Sequence, residues 1–138
     1  MRQFNPNIFR AYDIRGKYPK EINGKTVAEI IPAMIRVLKP KTVIVGHDSR
    51  LSSPSLYRET IKQLKIQNSH ARRRTEKFKI VPAKMITTPL LSFLVNKLNA
   101  DIGIMITASH NPKGYNGLKI VGKKAIPISG KEIYELIK

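Results

Sequence analysis

The feature of this sequence that most constrains its fold is an apolar run that changes abruptly into a small, polar loop. Residues 102–106 read Ile-Gly-Ile-Met-Ile, a run too short to span a membrane and of the right length for a strand buried on both faces. Residues 107–114 then read Thr-Ala-Ser-His-Asn-Pro-Lys-Gly, in which proline and glycine are turn formers. Because α/β folds bind ligands at loops that follow their strands, this stretch predicts a functional site.

The length and composition indicate one ordinary globular domain. With 138 residues, the chain can bury one core and form one domain. It contains no cysteine, so disulfides and thiolate metal sites are excluded and a reducing compartment is expected. The first residues lack the pattern of a signal peptide, and no apolar run approaches membrane-spanning length. We therefore expect a soluble, cytoplasmic protein with no membrane partner.

The charge balance favours an anionic partner. Lysine and arginine number 26 against 9 aspartates and glutamates, a formal charge of +17. Phosphorylated metabolites, an acidic protein surface or nucleic acid would suit this charge, as would an acidic remainder of a larger protein. Between residues 62 and 79 only Glu76 is acidic, and the cations there are Lys62, Lys65, Arg72, Arg73, Arg74, Lys77 and Lys79. A solvated loop face is favoured over nucleic-acid binding, since neither aromatic interleaving nor a helix-turn-helix pattern accompanies them.

Apolar periodicity and turn residues predict alternating strands and helices. Strands are predicted at residues 9–16, 42–46, 78–82, 102–106 and 117–121, and helices at 26–39, 53–66, 88–99 and 129–138. The third strand is expected near an edge of the sheet because it contains Pro82. The order β-α-β-α-β-α-β-β-α predicts a three-layer α/β/α domain over residues 1–138, with a mostly parallel mixed sheet.

Several helix ends have recognisable signals. Thr26, with Glu29 three residues later, predicts a capping box, and Pro32 either kinks this helix or marks its start. Ser53 before Pro54 predicts a second helix start, and residues 67–77 form a basic linker after that helix. The last helix reaches the final residue without a cap, so we expect a chain cut at a domain boundary.

Ser109 is the sharpest candidate for chemistry. A serine hydrolase would need Gly-x-Ser-x-Gly, whereas residues 107–111 read Thr-Ala-Ser-His-Asn. His110 is adjacent to Ser109, and neighbouring side chains point apart in extended chain, so His110 is not expected to serve as a triad base. Phosphoryl transfer fits better, because it needs fixed cations around the transferring oxygens more than covalent machinery. Arg15, Lys113 and Lys119 are candidates for these cations.

Four motifs, in order, resemble a known family. Residues 107–112, followed by Gly114-x-Asn116-Gly117-x-Lys119, resemble the phosphoserine loop of the α-D-phosphohexomutases. Residues 9–16, Phe-Arg-Ala-Tyr-Asp-Ile-Arg-Gly, resemble the N-terminal motif of the phosphomannomutase/phosphoglucomutase branch. Residues 46–52 and 87–89 are similar to further segments of the family, and only the basic linker departs clearly from it.

The resemblance implies a mechanism and roles for residues. Ser109 would carry a phosphoryl group, pass it to a hexose 1-phosphate to give a bisphosphorylated sugar, and receive the other phosphate back. Arg15 would hold the phosphoryl group, and Lys119 and His110 would serve acid–base and electrostatic roles. Which of these two takes the proton stays open. Tyr12 and Asn111 would shape the loop and contact the substrate.

The resemblance also implies that essential parts lie outside the chain. Family members have four domains, of which this chain resembles the first, and they use Mg²⁺ and hexose 1,6-bisphosphate as an activator. Mg²⁺ would bind the phosphoryl oxygen on Ser109 and three closely spaced aspartates of the second domain. The aspartates here are Asp13, Asp48 and Asp101, which are scattered, and a single phosphoryl oxygen does not hold a hard divalent cation. The isolated chain is therefore expected to be inactive, with the remaining domains supplied by the same protein or a partner chain.

Two alternatives remain open. The chain could be a free-standing, non-catalytic domain that binds phosphosugars or docks onto another chain. The less favoured alternative is a nucleic-acid binder that uses Arg72, Arg73 and Arg74. The resemblance implies that the contacts that distinguish mannose from glucose lie in the later domains.

Overall fold

The computed structural model describes residues 4–138. Its strands are β1 (Ile14–Lys17), β2 (Thr42–His47), β3 (Lys79–Met85), β4 (Ile102–Ile106), β5 (Tyr115–Val121) and β6 (Pro127–Ile128). Its helices are α1 (Gly24–Leu38), α2 (Ser53–Ser69), α3 (Thr88–Lys97) and α4 (Gly130–Ile137). Short 3₁₀ turns occupy Pro6–Ile8, Arg74–Glu76 and Lys123–Ala125.

The six strands form one mixed sheet in the order β1-β5-β4-β2-β3, and β6 extends the β1 side of β5. β2 pairs in parallel with both β3 and β4, whereas β5 is antiparallel to β4, β1 and β6. Five strands therefore point one way and β5 alone opposes them, which confirms the predicted mostly parallel mixed sheet. As a result, the start of β5 lies at the same edge of the sheet as the ends of the other long strands.

Helices cover both faces of the sheet and produce the three predicted layers. On one face, α1, α2 and α4 pack on a core that includes Ile30, Leu56 and Ile133. On the other face, α3 buries Leu91 and Val95 in a smaller cluster with residues of β2, β4 and β5. All five residues of β4 are buried, as expected for a central strand with helices on both faces. This burial fixes the position at which the loop after β4 begins.

The prediction of a capping box at Thr26 and Glu29 is wrong, because α1 begins earlier, at Gly24. Asn23 is the N-cap, and its side-chain oxygen accepts a hydrogen bond from the N–H of Thr26 at 3.0 Å. Asparagine is as good an N-cap as threonine, and the hydroxyl of Thr26 donates instead to the backbone oxygen of Glu21. Pro32 lies inside the helix rather than at its start.

Other boundaries differ from the prediction by a few residues. The N-cap of α2 is Ser52 rather than Ser53, whose hydroxyl donates to Asp48 at 2.5 Å. This helix continues to Ser69, so the basic linker is shorter than predicted. β1 covers only the end of the predicted strand, with Phe9 forming an isolated bridge to Ile14, and the two-residue β6 was not predicted. The edge position of β3 and the start of α4 after Ser129 are confirmed, the latter with a capping box.

No helix within residues 4–138 is both long and apolar enough to cross a membrane.

Candidate active site

The loops after β2 and β4 meet the start of α3 and the middle of β5 around an open cleft of about 1320 Å³. The side chains that line it are Tyr18, Asp48, Ser49, Arg50, Leu51, Ser52, Ser55, Thr88, Pro89, Thr107, Ser109, His110, Asn111, Lys113 and Lys119. Because α2 and α3 both begin at this cleft, their positive dipole ends add to the field of its cations. The cleft therefore suits an anionic ligand.

Ser109 lies at the exposed tip of the loop in an uncommon backbone conformation. Its φ is 53°, in the left-handed region that non-glycine residues seldom adopt. Its N–H donates to Oγ1 of Thr107 at 3.0 Å, so the strained residue is held by a bond within the loop. Strained, over-determined residues cluster at functional sites, and this one presents a hydroxyl to the cleft.

Arg50 holds the loop that carries Ser109. Its Nη2 donates to the carbonyl oxygens of Ser109 at 2.9 Å and Asn111 at 2.6 Å. Its Nη1 donates to the carbonyl oxygens of Pro112 at 2.7 Å and Tyr115 at 3.2 Å. The planar guanidinium thus satisfies four carbonyl groups of one turn and fixes their relative positions.

Asp48 in turn holds Arg50 and the start of the loop. Its carboxylate accepts from Nε of Arg50 at 3.3 Å and from the hydroxyl of Thr107 at 2.7 Å. It also accepts from the N–H of Arg50 at 3.1 Å and from the hydroxyl of Ser53. The N–H of Ser109 donates to the Thr107 hydroxyl, and the carbonyl of Ser109 accepts from Arg50. Since Asp48 binds both Thr107 and Arg50, both backbone groups of Ser109 are linked to Asp48.

Arg15 is tied to the Ser109 loop from the other side. It forms an ion pair with buried Asp13, and its Nη1 donates to Oδ1 of Asn111 at 2.5 Å. Its Nε is buried without a hydrogen-bond partner among the described residues. An unpaired buried donor of a guanidinium is costly to the folded state.

Lys119 and His110 both line the cleft, in different settings. Lys119 is half-buried on β5 opposite Met105 of β4, so the rigid sheet fixes its backbone. His110 is exposed on the loop at the same cleft, and Lys113 is exposed nearby. The structure thus brings these three cationic or titratable groups together with Ser109.

Two predicted site residues, Tyr12 and Arg15, are not among the residues that line the cleft. Arg15 contacts the Ser109 loop through Asn111, whereas the side chain of Tyr12 is 80% exposed. Half-buried Tyr18, by contrast, lines the cleft. Asp48, Arg50 and Tyr18 are site residues for which the sequence predicted no role. The resemblance of residues 46–52 to a family segment was the available signal for Asp48 and Arg50; Tyr18 had none.

The residues at the cleft do not by themselves fit a Mg²⁺ ion. Mg²⁺ needs several oxygen ligands, preferably carboxylates, and Asp48, the carboxylate lining the cleft, already accepts bonds from Arg50, Ser53 and Thr107. Within residues 4–138, no group of three or more histidine, cysteine, aspartate or glutamate side chains could hold a metal ion.

Comparison with known proteins gives a consistent family. Residues 6–138 match the profile described as phosphoglucomutase/phosphomannomutase, alpha/beta/alpha domain I. The chain is 39% identical over 122 residues to the phosphomannomutase of Escherichia coli strain K12, covering 88% of this chain and 25% of that protein. It is 37% identical over 117 residues to the phosphomannomutase/phosphoglucomutase of Pseudomonas syringae pv. tomato, covering 83% of this chain and 23% of that protein.

Solved structures give the same result. The crystal structure of a phosphoglucomutase/phosphomannomutase family protein from Burkholderia thailandensis aligns with a TM-score of 0.76 and 27% identity, over 97% of this chain and 30% of that one. The chain thus spans about a quarter of the length of the curated relatives it matches.

Proposed function

This chain belongs to the phosphoglucomutase/phosphomannomutase family, as its α/β/α domain I, and from this we propose that Ser109 is the phosphoryl carrier of a phosphohexomutase. The enzyme would interconvert hexose 1-phosphates and hexose 6-phosphates through a bisphosphorylated sugar. The reaction would run in the cytoplasm, as the lack of cysteine suggests.

One observation carries the proposal: Ser109 has a strained backbone conformation, and both its N–H and its carbonyl are held by hydrogen bonds, to Thr107 and from Arg50. A turn serine without a role needs no such restraint. Here the restraint presents the hydroxyl to a cleft that is lined by Lys113, Lys119 and His110. Fixed geometry and fixed positive charge are the two things that phosphoryl transfer needs from a protein.

The chemical step balances without an external reactant. A free hydroxyl of the sugar phosphate attacks the phosphorus on Ser109, and its proton passes to Lys119 or His110. The bond from phosphorus to the Ser109 oxygen breaks as the bond to the sugar oxygen forms. In the reverse transfer, the other phosphate of the sugar moves to Ser109, the sugar oxygen that it leaves takes back the proton, and phosphorylated Ser109 and the isomer result.

The other predicted residues have supporting or weaker roles in this scheme. Asn111 keeps the guanidinium of Arg15 next to the loop, where its positive charge would favour a phosphoryl group on Ser109. Tyr12, exposed outside the cleft, would reach a substrate only together with further parts of the enzyme.

The remaining parts of the enzyme would come from beyond this domain. Because the cleft carboxylate is fully engaged, we place the Mg²⁺ ligands other than the Ser109 phosphoryl oxygen outside this domain, in parts that correspond to the three quarters of the relative that the chain does not cover. The groups that recognise the sugar and bind the activating hexose 1,6-bisphosphate would lie there too. A docking domain without catalysis is the alternative, and it would share the same cleft.

A chimera tests the proposal without depending on how far the natural chain extends. The part of this chain that aligns with the Escherichia coli phosphomannomutase replaces the aligned segment of that protein, about a quarter of its length. We expect the chimera to convert mannose 1-phosphate to mannose 6-phosphate. Ser109→Ala should lower its kcat by about a thousandfold or more, because the covalent route is lost. Coupled detection of the 6-phosphate measures both rates.

Ser69→Ala is the matched control. Ser69 is exposed at the end of α2, far along the helix from the cleft, and its hydroxyl bonds only to the backbone oxygen of Ile66. This variant should keep full activity. A Ser109→Ala chimera that turns over at the unsubstituted rate would remove the proposed nucleophile, and a folded but inactive chimera would favour the docking alternative.

A further inference from the structure

A second cavity, of about 440 Å³, lies at the edge of the sheet opposite to the catalytic cleft. It is bordered by the ends of α1 and α2 and by the segment before β3. Since β2 and β3 begin at this edge and end at the cleft, the two cavities are separated by the length of the strands. We call this cavity the basic pocket, and the proposed reaction makes no use of it.

The floor of the basic pocket is apolar. It contains Ile35 and Phe78, which are 6% and 7% exposed, and buried Pro40. Half-buried Ala71 is part of the wall. A cavity of this size with an apolar floor can take one large aliphatic or aromatic side chain.

Bonds within the chain hold the wall of the pocket in place. The side chain of Asn68 accepts from the N–H of Phe78 at 2.9 Å and donates to its carbonyl at 2.7 Å, closing the loop of residues 69–77 at its base. Inside this loop, the carboxylate of Glu76 accepts from the N–H of Arg72 at 3.2 Å. The loop therefore has a fixed shape, and its one acidic side chain is used to form it.

The rim of the pocket carries an excess of positive charge. Arg36, Lys39 and His70 line it, and the closed loop adds four exposed cations, Arg72, Arg73, Arg74 and Lys77. In the part of the chain that the structure describes, none of these side chains forms an ion pair. Arg36 and Lys39 offset the negative dipole end of α1, and the loop cations follow the negative dipole end of α2, while Glu76 is the acidic residue of the lining.

We propose that the basic pocket docks an acidic polypeptide segment that inserts one apolar side chain into the cavity. Carboxylates of the segment would pair with the loop cations, while its apolar side chain would cover the floor formed by Ile35 and Phe78. Buried apolar anchors within a charged rim are the usual arrangement of the strongest contacts in protein interfaces. A nucleic acid fits less well, because the loop has no phenylalanine, tyrosine or tryptophan for base stacking and a phosphate backbone has no apolar anchor.

The test uses the chain as it stands and two labelled, glutamate-rich peptides that differ only in a central leucine or alanine. We expect the leucine peptide to bind about tenfold more tightly, the effect of burying one aliphatic side chain. Ala71→Leu, which puts a larger side chain into the wall of the cavity, should reduce this difference. Replacing Arg72, Arg73 and Arg74 by glutamine should weaken both peptides and reduce the salt dependence of binding.

Charge-matched controls separate the pocket from the overall charge. Lys20→Gln, Lys25→Gln and Lys131→Gln together remove three exposed cations elsewhere and should leave both affinities unchanged. Saturating mannose 6-phosphate should not displace the peptide, so the result does not depend on the catalytic proposal. Equal binding of the two peptides would contradict the proposal that the pocket takes an apolar side chain. So would single-stranded RNA that binds as tightly as the leucine peptide, or an equal loss of affinity in the charge-matched variant.

Discussion

The guanidinium of Arg50 donates to four carbonyl groups of the turn that carries Ser109, and these residues lie about 60 positions further along the chain. Together with Asp48, it fixes a turn that Ser109 alone would not maintain at a φ of 53°. Because the contacts act on the backbone, we expect Arg50 to set the direction of the Ser109 hydroxyl rather than to touch the substrate. Arg50 is thus a positioning residue.

Arg50→Ala in the chimera should lower kcat by about a hundredfold, the usual effect of misplacing a reacting group by an ångström. The KM for mannose 1-phosphate should change much less, because the cations that face the substrate remain. Arg50→Lys should recover only part of kcat, since an ammonium cannot serve four carbonyls in one plane. Steady-state kinetics gives both constants, and thermal unfolding shows whether the variants are folded.

Arg58→Lys provides the comparison, as Arg58 is an exposed arginine further along α2. It should leave kcat and KM as they are. An Arg50→Ala variant with unchanged kcat, or one in which KM alone rises, would contradict the positioning role.

At the scale of elements, Asp101 secures the start of β2 to the turn before β4. Its carboxylate accepts from the N–H groups of Lys41 at 2.7 Å and Thr42 at 3.0 Å, and it pairs with Lys123 at 3.4 Å. Burial raises the pKa of this carboxyl, but the two backbone bonds and Lys123 outweigh it, so the pKa lies below its ordinary value of 3.8. The charged form is therefore favoured by folding.

A lowered pKa gives stability that is present above the ordinary value and is lost as the pH falls through the folded-state value. Asp101→Asn should thus lower the free energy of unfolding by about 1–2 kcal/mol at neutral pH. The difference from the unsubstituted chain should shrink at acidic pH, as its own Asp101 becomes protonated. Urea unfolding at neutral pH and at about pH 3 measures the two differences.

Glu135→Gln is the control, because Glu135 pairs with Lys138 on the surface at 2.8 Å and such pairs contribute little. Its effect should be close to zero at both pH values. An Asp101→Asn effect that stays constant with pH would show that the lost bonds, and not the charge, carry the stability.

Apolar patterns predicted most elements because each depends on residues close together in the chain. β4 and α3 were predicted nearly to the residue, since one is a continuous apolar run and the other begins at a threonine-proline signal. The start of α1 was missed, since Asn23 and Thr26 are equally good caps and only the packed structure decides between them. Two-residue β6 has no pattern of its own and exists through its pairing with β5.

The residues of the cleft were likewise predictable where they lie close together in the sequence. Motifs place Ser109, His110, Asn111 and Lys119 within eleven residues of one another, and all four line the cleft, while their roles stay predictions. The role of Arg50 was missed because its contacts join two loops that only the sheet brings together. The exposure of Tyr12 was missed for a similar reason, because β1 begins after it.

For the whole molecule, the direction of one strand decides where the chemistry lies. β5 opposes its neighbours, so its first residues and the ends of β2 and β4 meet at one edge and enclose the cleft. The opposite edge holds the basic pocket, and the two sites use different loops. We therefore propose two separate uses for the net charge of +17: binding of phosphate at one edge and docking of an acidic polypeptide segment at the other.

The measurement that tests the central claim most directly is the position of the phosphoryl group. The chimera is incubated with mannose 1,6-bisphosphate, digested, and its peptides are mapped by mass spectrometry. The account predicts one phosphorylated residue, Ser109, and no phosphorylated peptide in the Ser109→Ala chimera. Phosphate on another residue that lines the cleft, such as Ser49 or His110, or turnover without any phosphorylated residue, would contradict it.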